Sequence, residues 1–414
     1  MNMNKENTCF TNYVLWKMFQ HYSYVSSSDV QNVITWKYIL NLLFFTTPLL
    51  IETLAIVSSI IGSQNLIYDV YALIQNVLEA LGALMAIITV KTLAEQSNSI
   101  WKLINMIRED LFCTEYKKYV LQCSNNMYKR FTIIYASIII FLWFSWMFSP
   151  LIIKDLPIKC ANNEVIVYRN NIVNAFYNVI PFKTYNKFFL IFWLIETFAL
   201  AHVFLNLFVF DIILTSCCWM LSANMEMISL KFKSLGYEKV IKSKSNSHSA
   251  IQNLKIVISQ HMKIVSKIEK FYELIKPLAI ILMGINSNIV IVATYLSVLN
   301  YMIEGNLFSF NLMKLILTAF FHILRLYIIC HSFGNLDDQK NAMTFAMYSS
   351  NWTNKDIKFK KSLLMAMNMN EANFIVMRVT PTQYLNFEMF SRVMNLSYSI
   401  VSVLVKKKLS EKSN

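Results

Sequence analysis

Long apolar runs alternate along the chain with shorter polar and basic segments. A helix needs roughly 20 consecutive apolar residues to cross the hydrocarbon core of a bilayer. By that criterion the pattern predicts seven membrane-spanning helices, at residues 38–61, 66–90, 131–153, 188–219, 274–300, 312–330 and 384–405. The fourth run is longer than a crossing requires, which predicts a helix that continues beyond the membrane into water.

The composition indicates which kind of membrane protein this is. Hydrophobic residues make up 56% of the 414 residues, and the chain has only six Gly and six Pro. Strands of a membrane barrel would alternate in polarity, whereas these runs show no such alternation. We therefore predict an all-α, seven-transmembrane helical membrane protein.

The basic residues set the predicted orientation. The formal net charge of +14 could indicate nucleic-acid binding, but the Lys and Arg residues lie mostly between the apolar runs. Segments 91–130, 221–273 and 333–383 contain seven, nine and six of them, whereas 301–311 contains none. Because basic segments stay on the cytoplasmic side, we predict a cytoplasmic N-terminus, the reverse of a G-protein-coupled receptor, and no nucleic-acid partner.

Catalytic and cofactor motifs are not visible in the sequence. It contains no nucleophile elbow, metal-binding helix or phosphate loop. The seven cysteines include no C-x-x-C pair, so their spacing suits neither a zinc site nor a secreted disulfide framework. We predict that the protein is not an enzyme and that it uses no cofactor or metal.

Ionisable residues inside the predicted spans are functional candidates, because burying charge in a membrane is costly. Glu196, His202 and Asp211 lie in the fourth span, and His322 and Arg325 lie one turn apart in the sixth. For the last two, a structural role inside the helix bundle is the alternative interpretation.

The C-terminal third carries a recognisable combination of elements. It contains, in order, a Tyr-x-x-x-Trp element, a Lys-rich amphipathic helix with a Leu-Leu pair, and a Ser-Tyr-Ser sequence in the last span: Tyr348, Trp352, Lys358, Lys360, Lys361, Leu363, Leu364, Ser397, Tyr398 and Ser399. In this combination the chain resembles the insect odorant receptors. Its length, its seven predicted spans and its predicted orientation extend the resemblance over the whole sequence.

Two sister groups differ from this chain near its end. Gustatory receptors typically place Gln-Phe where this chain has Leu404-Val405. The odorant-receptor co-receptor (Orco) keeps a polar Gln near that point and has a long insertion before the fifth span. The chain therefore looks like a ligand-tuned, odour-specific subunit. A gustatory-type channel is the nearest alternative, and a metabotropic seven-span receptor or a secondary transporter is a more distant one.

The resemblance implies a tetrameric ion-channel architecture around one central pore. It divides the chain into a cytoplasmic N-terminus (1–37), six spans with cytoplasmic helix extensions (38–330), a cytoplasmic anchor segment (331–383), a pore-lining seventh span (384–405) and an extracellular tail (406–414). It also implies Orco as the partner in a heterotetramer, a small hydrophobic volatile as the ligand, and the plasma membrane of olfactory sensory neurons as the location.

The same resemblance suggests which residues form each site. Tyr348 and Trp352 would pack inside the anchor segment, and Ile400, Val403 and Leu404 share one helix face that could gate the pore by dewetting. Ordinary helix packing or lipid exposure is the alternative for that face. The odour pocket would lie in the outer half of the bundle, where we expect contacts from Tyr71, Gln75, Trp143, Trp146, Phe192, Glu196, Thr318 and Phe321.

Overall fold

The computed structural model describes residues 70–109, 115–152, 155–159, 165–172, 180–237, 246–306, 309–372, 375–380 and 382–413, together with scattered helical positions between 50 and 61. The N-terminal segment 1–37 and most of the predicted first span lie outside the described residues.

Helices form nearly all of the described chain. Their bounds are α1 Val70–Glu109, α2 Glu115–Ile152, α3 Phe182–Lys187, α4 Phe189–Ser234, α5 Asn246–Glu304, α6 Phe310–Tyr348, α7 Ile357–Ala372 and α8 Phe387–Ser413. Two antiparallel hairpins join them: β1 Asp155–Lys159 pairs with β2 Val165–Arg169, and β3 Arg378–Thr380 pairs with β4 Gln383–Tyr384.

Five of the described helices (α1, α2, α4, α5 and α6) are long and apolar enough to cross a membrane. All five are longer than a crossing requires, since α1, α2, α4, α5 and α6 contain 40, 38, 46, 59 and 39 residues. At 1.5 Å per residue, α4 is about 69 Å long, more than twice the thickness of a bilayer core of roughly 30 Å. These helices therefore extend beyond any membrane that they cross.

Helix α4 is the centre of the bundle. Every residue from 209 to 218 is buried, and the helix packs against α1, α2, α5 and α6. Such burial on all sides explains why its sequence is apolar all round rather than on one face. The two buried cysteines Cys217 and Cys218 belong to this core and carry free thiols.

The junction after α4 requires a glycine. Gly236 has a φ of +86°, and a Cβ atom on it would lie 2.6 Å from the carbonyl oxygen of Asn351. The Asn351 backbone N–H donates to the carbonyl of Leu235 at 3.0 Å, and its side-chain amide donates to the carbonyl of Gly236 at 3.1 Å. This contact joins the end of α4 to the segment that follows α6.

Helix α7 is amphipathic, and only one residue of its Leu-Leu pair lies on the buried face. Phe359, Leu363 and Ala366 are buried at spacings of four and three residues. Leu364, the second residue of the Leu-Leu pair, is 59% exposed, and Ile357 is 69% exposed. The rotation of the helix is set by Phe359, whose ring is almost completely buried against the core.

Candidate ligand-binding site

A partly open, mostly apolar cavity of about 140 Å³ lies between α1, α2, α4 and α6, with Ile289 of α5 also in its lining. It is close in size to the roughly 150 Å³ engineered protein cavity that binds benzene. The side chains around it come from the first half of α1, the end of α2, and the first halves of α4 and α6. All of these belong to the bundle end opposite the long extensions of α4 and α6. The residues lining the cavity are Ile51, Leu78, Glu79, Gly82, Ala83, Met85, Leu142, Trp146, Glu196, Ala199, Leu200, Val203, Phe204, Leu207, Ile289, Leu317, Thr318, Phe321 and His322.

Aromatic rings form one wall of the cavity. The rings of Phe204 and Phe321 meet edge to face at 5.7 Å, and Trp146 meets Phe204 edge to face at 6.1 Å. Such pairs add to the stability that burial alone provides, so the wall is well ordered. On the α1 side, Gly82 leaves room, since a Cβ atom on it would meet nothing within 4 Å.

A proline near the end of α2 changes the hydrogen bonding of the Trp146 backbone. Pro150 lies four residues later inside the helix and has no N–H to donate to the carbonyl of Trp146. The hydroxyl of Ser149 donates to that carbonyl at 2.8 Å instead. The amino group of Lys314 lies 5.4 Å from the centre of the Trp146 ring, so the indole also contacts the charged part of the site.

Charged side chains stand at one end of the cavity. Glu196 accepts hydrogen bonds from the backbone N–H of Ile172 at 3.1 Å and from the Tyr185 hydroxyl at 3.0 Å. Lys314 interacts electrostatically with Glu196 and with Glu79, and both carboxylates line the cavity. The segment around Ile172 follows β2, so the chain between α2 and α4 covers this end.

His322 also belongs to the polar lining of the cavity. The Nδ1 atom of His322 lies 2.8 Å from the Oδ1 atom of Asn286, and the Asn286 amide nitrogen donates to the His322 carbonyl at 3.1 Å. Because the amide nitrogen is used in that second bond, its oxygen is the acceptor for the ring. This pair ties α5 to α6 beside the cavity.

A buried ion pair lies directly behind the cavity. The Arg325 Nε atom lies 2.8 Å from the Oδ2 atom of Asp211, and the Tyr135 hydroxyl donates to the same oxygen at 2.7 Å. The Arg325 Nη1 atom contacts the Met85 sulfur at 2.9 Å, and Met85 itself lines the cavity. Only 1% of the Arg325 side chain and 2% of the Asp211 side chain are exposed. The pair therefore links α4 to α6, and Tyr135 adds α2.

Four of the eight predicted pocket residues line this cavity, namely Trp146, Glu196, Thr318 and Phe321. The other four lie outside its lining. The Gln75 side-chain amide donates a hydrogen bond to the Tyr71 hydroxyl at 3.1 Å. Phe192 stacks on Tyr185 with ring centres 5.0 Å apart, and Trp143 packs against Phe144 with ring centres 4.8 Å apart.

Several lining residues were not predicted from the sequence, among them Glu79, Leu142 and Phe204, and His322 was predicted only as an ionisable candidate inside the bundle. A signal existed for His322, because it shares a helix face with Thr318 and Arg325. Glu79 was visible only as a charge that interrupts the second apolar run.

The predicted gate residues lie on α8. Val403 is 66% exposed in the single chain, while Ile400 and Leu404 are half-buried. Leu396 and Ser399 are exposed as well, so Leu396, Ser399 and Val403 form a stripe at spacings of three and four residues that is not covered by the part of the chain that the structure describes.

The predicted anchor residues lie at the end of α6. The Trp352 indole N–H donates to the carbonyl of Tyr348 at 3.1 Å, and their ring centres are 6.0 Å apart. Trp352 is half-buried against the core, whereas the Tyr348 side chain points outwards and is 60% exposed.

Within the part of the chain that the structure describes, no group of His, Cys, Asp and Glu side chains is arranged to hold a metal ion. The site as described can bury an apolar molecule and offer it a few polar contacts.

Comparison with known proteins identifies the family. A family profile described as "7tm Odorant receptor" matches residues 91–398, which is about three quarters of the chain. The chain belongs to the insect odorant receptor family. Members of this family are ligand-gated cation channels and not enzymes. No curated protein sequence matches this odorant receptor.

Solved structures agree with this odorant receptor in fold. It is similar to the insect olfactory receptor OR5 from Machilis hrabei in complex with eugenol, with a TM-score of 0.71 and 11% identity over 96% of this chain and 98% of the other. A second structure of that receptor gives a TM-score of 0.71 and 12% identity over 95% and 97% of the two chains. The predicted all-helical, multi-span membrane fold is thereby confirmed.

Proposed function

We propose that this odorant receptor is the odour-specific subunit of a heterotetrameric cation channel formed with Orco. Its ligand is a small, mostly apolar volatile that binds in the cavity between α1, α2, α4 and α6. Binding repacks the helices around the cavity, α8 shifts, and cations pass through the central pore in the plasma membrane of olfactory sensory neurons.

The mostly apolar cavity is the observation that carries this proposal. It is lined mainly by aliphatic and aromatic side chains, with a few polar groups at one end, which is the usual composition of a small-molecule site. Burial of apolar surface contributes about 25 cal/mol per Å², so a small hydrocarbon body gains most of its affinity from the walls. Under the predicted orientation, this end of the bundle faces outwards, where a volatile arrives.

The ion pair behind the cavity supports the coupling step. A ligand opens a channel only if it binds more tightly to the open state than to the closed one. Met85 stands between the ligand cavity and Arg325, and Asp211 joins Arg325 to α4. A ligand that displaces Met85 therefore acts on the contact that holds α4 and α6 together.

The exposed stripe on α8 supports a pore-lining role. Leu396, Ser399 and Val403 are not covered by the described residues of their own subunit, which fits contacts with neighbouring subunits or with a central pore. We further propose the predicted layout of N-terminal segment, spans, anchor segment (331–383), pore helix (384–405) and extracellular tail. The exposed Tyr348 is then available for contacts between subunits.

Two features favour the odour-specific subunit over the co-receptor. Leu404 stands near the point where Orco keeps a Gln. In addition, the connection between α4 and α5 is short, since α4 ends at Ser234 and α5 begins at Asn246.

Expression with and without the partner tests the proposal. The chain expressed alone should give no odour-evoked current, and the chain expressed with Orco should respond to members of a volatile panel. Cells expressing Orco alone are the control. Robust odour-evoked current from the lone chain would refute the heteromeric assignment.

A further inference from the structure

An open groove of about 400 Å³ lies between α2 and α6 on the outside of the bundle. Its lining comes from α2 between residues 133 and 142 and from Leu317 and Phe320 of α6, all within the predicted third and sixth spans. Among the described lining residues Ser137 alone is polar, and its hydroxyl donates to the carbonyl of Ile133 in its own helix at 2.9 Å. The groove is therefore apolar along its length.

The surface around the groove faces the membrane. Of the five described helices that can cross a bilayer, α2 is the least covered, with 17% of its most apolar 18 residues buried against 33–67% in the others. Phe141 of α2 and Phe320 of α6 both line the groove and are exposed in the described chain. Within a predicted span, such apolar side chains face hydrocarbon, so the groove opens towards the bilayer core.

Two leucines separate this groove from the ligand cavity. Leu142 of α2 and Leu317 of α6 line both spaces. Leu142 lies one turn before Trp146 of the cavity wall, and Leu317 precedes both Phe320 of the groove and Phe321 of the cavity. At this point, therefore, the wall of the cavity consists of aliphatic side chains with the groove on their other side.

The polar end of the cavity is covered in a different way. There the backbone N–H of Ile172 and the hydroxyl of Tyr185 donate to Glu196 at 3.1 and 3.0 Å. A ligand that entered past these contacts would separate buried polar groups from their partners, which is costly. A leucine side chain that changes rotamer breaks no hydrogen bond, so the apolar wall is the easier one to open.

We propose that the ligand enters the cavity sideways from the bilayer, through the groove between α2 and α6, when the Leu142 and Leu317 side chains move aside. This inference rests on the proposed function and adds the route by which its site fills. Each methylene of a ligand raises its partition from water into hydrocarbon by about fourfold. An apolar volatile is thus far more concentrated beside the groove than in water, and the groove holds the ligand in transit.

Obstructing the groove tests this route without altering the lining of the cavity. Ser137→Trp places an indole in the groove and gives up only a hydrogen bond within its own helix. Entry should slow by at least about threefold, because a rate falls exponentially with its barrier. The barrier to exit rises equally, so the half-maximal concentration should stay the same. The onset of current is measured on rapid application of an active volatile to outside-out patches containing the chain and Orco, at concentrations where the onset rate is proportional to concentration.

Two further variants make the result specific to the groove. The matched control is Ile140→Trp, since Ile140 is exposed on the same helix but lies outside the groove lining. It should keep the onset rate of the unmodified receptor. If Ser137→Trp does not reach the cell surface, Phe320→Ala widens the groove from the α6 side. That variant should speed the onset and leave the half-maximal concentration unchanged.

The possible failures can be told apart. An unchanged onset rate in Ser137→Trp, or equal slowing in Ile140→Trp, would overturn the lateral route and keep the receptor assignment. A shifted half-maximal concentration with an unchanged onset rate would mean that a lipid chain occupies the groove and acts on gating, which also overturns the route. Absence of any response from the unmodified chain with Orco across a volatile panel would instead contradict the proposed function.

Discussion

Replacing Arg325 with leucine should nearly abolish surface expression of the receptor. The substitution leaves Asp211 as an uncompensated carboxylate whose side chain is only 2% exposed. Breaking a buried ion pair by removing one partner typically costs about 3–5 kcal/mol, a large fraction of the stability of a protein. Surface labelling of cells that express the variant with Orco measures the effect.

The control and the rescue make this result specific to the ion pair. Arg392 on α8 pairs with Glu388 in an exposed position, so Arg392→Leu should leave the surface level nearly unchanged. Adding Asp211→Asn to Arg325→Leu removes the unpaired charge and keeps an acceptor for the Tyr135 hydroxyl. The double variant should therefore recover much of the surface level. A normal level for Arg325→Leu, or no recovery in the double variant, would contradict the account.

Replacing Trp146 with leucine should change the order in which the receptor ranks its ligands. The indole stands in the cavity wall against Phe204, so a smaller side chain enlarges the space. Small activators lose contact area, and at about 25 cal/mol per Å² a loss of roughly 50 Å² lowers their potency by about tenfold. Bulkier activators should gain. Dose–response curves over a homologous series give the ranking.

Trp143→Leu is the matched comparison for this experiment. The two tryptophans lie on the same helix, three residues apart, but Trp143 packs against Phe144 outside the cavity lining. Its replacement should keep the original ranking at whatever surface level the variant reaches. An unchanged ranking in Trp146→Leu, or an equal shift in both variants, would mean that ligands do not bind against this wall.

The helices were predictable from the sequence because membrane crossing imposes a length and a continuous apolar pattern. The ends of α4, α5 and α6 were less predictable, since their extensions carry charged and polar residues like any soluble helix. The predicted spans therefore mark the apolar part of each helix but not where its extension ends.

The site could be predicted only in part, for a geometric reason. Helical periodicity places Trp143 and Trp146 on the same side of α2, but the rotation of that helix against its neighbours decides which indole reaches the cavity. The pairing of Asp211 with Arg325 joins residues 114 positions apart, so no local pattern contains it. The sequence shows only that the fourth span contains an acidic residue and the sixth a basic one, and that such charges need partners when they are buried.

The contact that covers one end of the cavity could not be predicted from the sequence. The contact between the Ile172 backbone and Glu196 depends on how the chain between α2 and α4 folds back over the bundle. The same holds for Gly82, whose missing side chain leaves space in the cavity although the residue has an ordinary helical position.

The central claim is that this chain helps to line a ligand-gated channel, and current recording from excised outside-out patches tests it most directly. The solutions on both sides of the patch are prepared without GTP or ATP, so a current through a G protein would not appear. Patches from cells expressing the chain with Orco should open under an active volatile. Val403→Asn should raise the basal current, since a polar side chain at a hydrophobic constriction favours wetting. Currents that require GTP, or that keep the same basal level with Val403→Asn, Ile400→Asn and Leu404→Asn, would contradict a ligand-gated channel that this chain helps to line.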